Sequence, residues 1–332
     1  MNGKLEVVST SVSSKEEIIM ATTYLLANDE KKKLFKENLD IDFIHEEPDV
    51  GRFRVNIFTQ RGTPVVVARY IHSNIKTFAE LNLPIELCEM FCQESKGLFL
   101  VCGPAGNGKS TTIASMIEYI NNRRSEHIIT IEDPLEFLFQ DKKSIINQRE
   151  LGIDVYSYQK ALKHVTQQSP DIIYIGNIRD QPTMRAAINA TELGAYVMTT
   201  FHTINAVQTI IRIVNFFAPH LHDEVRMQLS LILKGIISLR LLARKDGKGR
   251  VPAFETLVVT PTISRLIREG HIREIQEFID EGKLFGMQSF KQSLVKRVKE
   301  GLVEVEEARK YADSKDEFDL ELKGIKRPSD LD

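Results

Sequence analysis

The 332-residue chain has no tryptophan and only three cysteines, Cys88, Cys92 and Cys102. So few thiols exclude a disulfide framework. Cys88 and Cys92, four apart in a predicted helix with no second ligand pair nearby, are expected to be reduced packing thiols of a cytoplasmic protein. Long apolar runs are missing as well. The greasiest stretch, LSLILKGIISLRLLA, is interrupted by Lys234 and Arg240 and falls short of a bilayer span, so no transmembrane segment is expected. The N-terminus carries no signal-peptide pattern. An excess of one charge is absent too: 44 Lys+Arg against 46 Asp+Glu leave a net charge of −2, so there is no global basic footprint and no nucleic-acid partner is expected.

What remains is ordinary globular composition, 42% hydrophobic and 27% charged, with length enough for two domains. Ser14 and Glu17 form a candidate capping box before a first helix, and a second breaks near Asn38. From Asp40 the texture is strand-like: DFIHEE, then GRFRVNIF with alternating Phe53, Val55 and Ile57, a turn at Arg61-Gly62, and VVVARYI. This predicts a small α+β domain over 1–71. HSNIKTFAELNLP, 72–84, has little periodicity and is the expected linker. Over 85–260 the strands GLFLVC, HIITIE, DIIYIG and AYVMTT alternate with helical stretches, the βα rhythm of a largely parallel sheet. From 261 to 332 the pattern is helical. Met287, Phe290, Leu294 and Val298 share one face, a second helix follows over Val303 to Tyr311, and a polar tail closes the chain.

The strongest motif is GPAGNGKS, comprising Gly103, Pro104, Ala105, Gly106, Asn107, Gly108, Lys109 and Ser110, between an apolar strand and a helix that opens on Thr111. It fits a P-loop: glycines let backbone N–H groups approach phosphates, Lys109 neutralises β/γ charge, and Ser110 supplies an oxygen to Mg²⁺. ATP and Mg²⁺ are therefore the expected ligands. About 20 residues on, Glu132, Asp133 and Glu136 crowd the end of HIITI. Bare acidic clusters are usually solvated turns, but this one would lie at the carboxyl edge of the sheet, where open α/β sheets bind ligands. His202 closes YVMTTF; a lone histidine at a strand end is more often structural, but this one would face the ligand edge of the same sheet.

In order and content these segments resemble the type IV pilus retraction ATPases of the PilT family, within the type II/IV secretion ATPase superfamily. The similarity includes GRFRVN, the P-loop, the acidic box, the strand ending in IRD, the box TTFHTINAVQTIIRIVNFF, the GRVPAFE turn at 249–255 and TISRLIREG at 262–270. The resemblance implies a PAS-like N-terminal domain, a RecA-like ATPase core with a helical C-terminal extension, and a cytoplasmic homohexamer. It also implies that the ring works against the inner-membrane pilus platform protein to power retraction and twitching motility. It matches Glu136 to the acidic-box glutamate and His202 to the histidine-box sensor, and gives phosphate contacts to Arg54 and Arg69. Without it, Arg52, Arg54, Arg61 and Arg69 read as the polar face of a half-buried sheet. It also attaches TISRLIREG to coupling, although the pattern alone shows only a helix with Ile263, Leu266 and Ile267 inward.

Three positions depart from that pattern. Asn177 stands where the family has a glutamate, Gly194-Ala195 replaces a glycine-histidine pair, and the opening strand is missing. An amide is no useful general base at neutral pH, so Asn177 predicts slow hydrolysis with intact binding. Three readings stay open: a slow working motor in which Glu136, or else Glu132, activates water; a nucleotide-binding ring component that depends on an active paralogous pilus ATPase; and a normal motor in which Asn177 is an introduced trap.

Overall fold

The computed structural model describes residues 7, 11–71 and 74–325. His72 and Ser73 of the expected linker, the tail from Lys326, and most of the stretch before Ser11, where the missing strand would lie, fall outside the described residues. By their contacts the residues form two compact units, one running to Asn74 and including Glu136–Leu138, the other comprising Ile75–Leu135 and the chain from Phe139 onward.

The first unit is an antiparallel meander of β1 (Asp40–Glu47), β2 (Gly51–Gln60) and β3 (Thr63–Ile71), preceded by helices Lys15–Leu25 and Asp29–Asn38. The capping box is formed: Ser14 Oγ accepts from the Glu17 N–H at 3.1 Å and Glu17 Oε2 accepts from the Ser14 N–H at 2.7 Å. Alternation along β2 turns Val55 and Ile57 into a small core with Leu26. Arg61 and Gly62, both at positive φ, make the tight β2–β3 turn.

The second unit is built on seven strands: β4 (Gly97–Cys102), β5 (His127–Glu132), β6 (Ile145–Glu150), β7 (Ile172–Ile175), β8 (Tyr196–Phe201), β9 (Leu233–Ala243) and β10 (Arg250–Val258). Their order is β10-β9-β4-β8-β7-β5-β6, parallel throughout except for the antiparallel β9–β10 pair. Because side chains alternate, Leu98, Leu100 and Cys102 of β4 enter one core and Phe99 and Val101 the other. Helix Lys109–Arg123 covers the second face, and helices Gln181–Glu192 and Ala206–Asn215 cover the first. A sheet buried on both sides reads as continuous apolar runs, which is why these strands are legible.

Four expectations change. GRVPAFE is not a turn but most of edge strand β10. Pro252 fits there because its carbonyl points away from β9, accepting from Arg297 Nε at 2.8 Å, so its missing N–H leaves no ladder bond unmade. Residues 75–84, read as linker, belong to the second unit, with Phe78 and Leu83 buried in its core. Helix Phe290–Lys299 starts after Met287, which is buried outside it, and the expected tail contains a third helix, Lys315–Leu322, anchored by fully buried Phe318. Short amphipathic helices with one large apolar residue leave too little periodicity to read. Cys88, Cys92 and Cys102 are free and buried, and burial pushes the Cys88 thiol up to about 12, as expected of packing thiols. None of the described helices is long and apolar enough to cross a membrane.

Gly235, in β9 beside a register shift against β4, is required by close approach. A Cβ there would lie 2.2 Å from Phe91 Cζ and 2.7 Å from the Leu257 carbonyl oxygen. Phe91 is wedged in the core and the carbonyl is backbone, so neither moves freely. Gly235→Ala should therefore destabilise the fold by about 1–3 kcal/mol, read as a lowered thermal midpoint. An unchanged midpoint would mean that the helix carrying Phe91 shifts without cost.

Candidate nucleotide site

The parallel strands bring four sequence-predicted features to one edge of the sheet. The P-loop follows β4, Glu132 ends β5, Asn177 follows β7 and His202 follows β8. Gly103 sits at φ 147° under β9, where a Cβ would come 2.6 Å from the Leu239 carbonyl oxygen, so any other residue would displace the loop base. Asn107 crosses to β9, its Oδ1 accepting from the Leu241 N–H at 2.7 Å, and Arg250 Nη1 donates to the Gly106 carbonyl at 3.1 Å. Pro104, Ala105 and Gly106 are left exposed at the crown, while Ser110 and Thr111 open the helix Lys109–Arg123.

Lys109 is only 7% exposed. Its ammonium donates to the carbonyls of Gly103 at 2.9 Å and Pro104 at 3.0 Å, and lies 3.3 Å from His202 Nδ1. That contact needs a neutral imidazole with Nδ1 as acceptor. Burial, and then the charges of Lys109, Arg179 and Arg212, hold the His202 pKa below its ordinary value and keep the ring neutral at pH 7. Arg212 Nη1 also reaches the His202 carbonyl at 3.4 Å.

Asn177 is fixed from both sides: the Gly176 N–H donates to the Ile131 carbonyl at 2.8 Å, Thr200 Oγ1 donates to the Gly176 carbonyl, and the Ile178 N–H donates to the Thr200 carbonyl at 3.4 Å. Both polar atoms of its amide are buried without a hydrogen-bond partner among the described residues. A buried amide oriented by rigid strands and unsatisfied by its own protein suits a polar ligand or a water held for one. With the P-loop hydroxyl of Ser110, this chemistry fits a nucleotide and its Mg²⁺.

Glu132 is buried and Asp133 exposed, and the Asp133–Pro134 bond is cis. Exposed Glu136 belongs by its contacts to the first unit. So do Arg54 and Arg69, directly opposite each other on β2 and β3, with Arg54 Nε donating to Asp42 Oδ2 at 2.8 Å. Sequence reasoning missed Arg250, whose role depends on β9–β10 pairing, and Arg179, the charged neighbour of His202.

A P-loop on an interior strand of a largely parallel sheet, with a histidine and an amide at the ends of the next two strands, defines a RecA-like P-loop ATPase fold. Comparison with known proteins agrees. Residues 41–310 match the family described as type II/IV secretion system protein. A twitching motility protein of Neisseria gonorrhoeae is 40% identical over 94% of this chain and 83% of its own length. The type IV pilus retraction ATPase PilT of Pseudomonas aeruginosa is 41% identical over 90% of this chain and 87% of its own. The crystal structure of a pilus retraction motor PilT with bound ADP superposes with a TM-score of 0.83 at 42% identity, covering 90% of this chain and 84% of that one. The chain belongs to the type II/IV secretion system protein family, in its PilT branch.

Proposed function

We propose that this protein is an ATP-driven motor for type IV pilus retraction, acting as a cytoplasmic homohexamer against an inner-membrane platform protein. The observation that carries the reading is the near full-length likeness to retraction motors combined with a formed P-loop whose lysine meets His202. In this reading the loop amides and Lys109 hold the phosphates, and Ser110 holds Mg²⁺, which when bound neutralises phosphate charge. His202, neutral, reports the phosphate through Lys109. Glu136 orients the attacking water, Asn177 hydrogen-bonds it, and Arg54 and Arg69 supply positive charge to the transferring group. With an amide at 177, turnover is slow. The N-terminal residues 1–71 act as the moving partner of the core, and TISRLIREG serves coupling rather than chemistry.

The test pairs two measurements on the full chain. Purified protein should release phosphate from ATP only with Mg²⁺ present, and expression in a piliated strain lacking its retraction motor should restore twitching. Mg²⁺-dependent turnover without restored twitching would leave an ATPase and sink the retraction reading.

A further inference from the structure

Beneath the P-loop lies a polar cluster that the nucleotide reading does not use. Glu255, in the middle of β10, is 2% exposed. Its Oε1 accepts from the backbone N–H of Ala206 at 2.8 Å and from Ser238 Oγ at 3.3 Å. Ser238 Oγ in turn accepts from Cys102 Sγ at 2.9 Å. Cys102 is the residue before Gly103, and Ala206 is the first residue of the helix that follows the His202 segment. Thr203 and Thr209 close the same space, their hydroxyls 2.6 Å apart.

One carboxylate oxygen thus ties the base of the P-loop to the start of the helix behind His202, directly through the Ala206 N–H and through Ser238 to Cys102. Burying an ionisable group costs stability unless it is well bonded, and an apolar residue of the same size would fill the space more cheaply. We propose that Glu255 is a positioning residue for nucleotide binding, holding the P-loop base and the His202 segment in register through Ser238 and the Ala206 N–H. This rests on the nucleotide-site reading above. Ionised Glu255 makes two charge-assisted bonds, one of them at a helix N-terminus, where negative charge is favoured. Protonation weakens both. Burial pushes the Glu255 carboxyl up to about 7, against the opposing pull of the Ala206 N–H, Arg240 and Ser238, while Asp313 adds to the rise. Cys102, which also faces the cluster, is held neutral by burial. The register is therefore firm above pH 7 and loosens as pH falls through it.

The test is the affinity of the full chain for fluorescent mant-ADP between pH 6 and 8.5, for the parent, Glu255→Gln and Ser238→Ala. Ionisation of the nucleotide phosphates, and of His202 at lower pH, is common to all three and cancels in affinity ratios between them. The parent should gain about tenfold in affinity relative to Glu255→Gln as pH rises across the range, in line with about 1.4 kcal/mol per decade. Ser238→Ala, which cuts only the link to Cys102, should bind more weakly than the parent at pH 8 and with a flatter profile. Variants that keep the parent's pH profile, or lower the thermal midpoint while leaving affinity untouched, would overturn the proposal. Because the measurement needs no hydrolysis, a chain that binds ADP but turns over no ATP would count against the motor and not against Glu255.

Discussion

Lys109→Ala should weaken ATP and ADP binding by about 10²-fold and remove turnover, because charge-assisted hydrogen bonds to phosphate are worth about 1.5–3 kcal/mol. The geometry makes the expectation specific. Lys109 is buried, and its donors rest on the Gly103 and Pro104 carbonyls and beside His202 Nδ1, all within the loop or at the end of the adjacent strand. These neutral acceptors can be exchanged for phosphate oxygens. Isothermal titration with ADP checks the affinity, and a thermal melt checks that the variant folds. Undiminished affinity in a folded variant would remove the phosphate assignment.

Asn177→Glu should raise steady-state ATP turnover by about 10²–10⁴-fold with ADP affinity changed by less than a few fold, the range general-base assistance supplies. The strand ends around Gly176 are pinned by β5 and β8, so the new carboxylate would occupy the place now held by an amide with two unpartnered polar atoms. Positioning and charge neutralisation dominate phosphoryl transfer, so the parent keeps a slow rate rather than none. Equal turnover in parent and variant, with binding intact in both, would show that Asn177 does not limit the chemistry and would shift attention to Glu136 and Glu132.

The P-loop is legible because its chemistry is local: eight consecutive residues, a preceding apolar strand and a following helix define it without reference to any other part of the chain. The strands before Asn177 and His202 are legible for the same reason, being short apolar runs buried on both faces. GRVPAFE misled because a proline and a glycine signal a turn, and only the outward-facing carbonyl of Pro252 shows why an edge strand tolerates the ring. The helix Lys315–Leu322 was hidden because its single buried aromatic, Phe318, gives no repeat to count.

The sequence by itself determined that this is an α/β protein with a P-loop between a strand and a helix, since each depends on neighbours a few positions apart, while the departure at Asn177 is visible only against the family pattern. Only the tertiary structure decided that Lys109 meets His202, that the amide of Asn177 is buried without a partner, and that Glu255 joins Cys102, Ser238 and Ala206 into one support. These partners lie far apart along the chain, and no local pattern encodes a contact that exists only once parallel strands have been laid side by side.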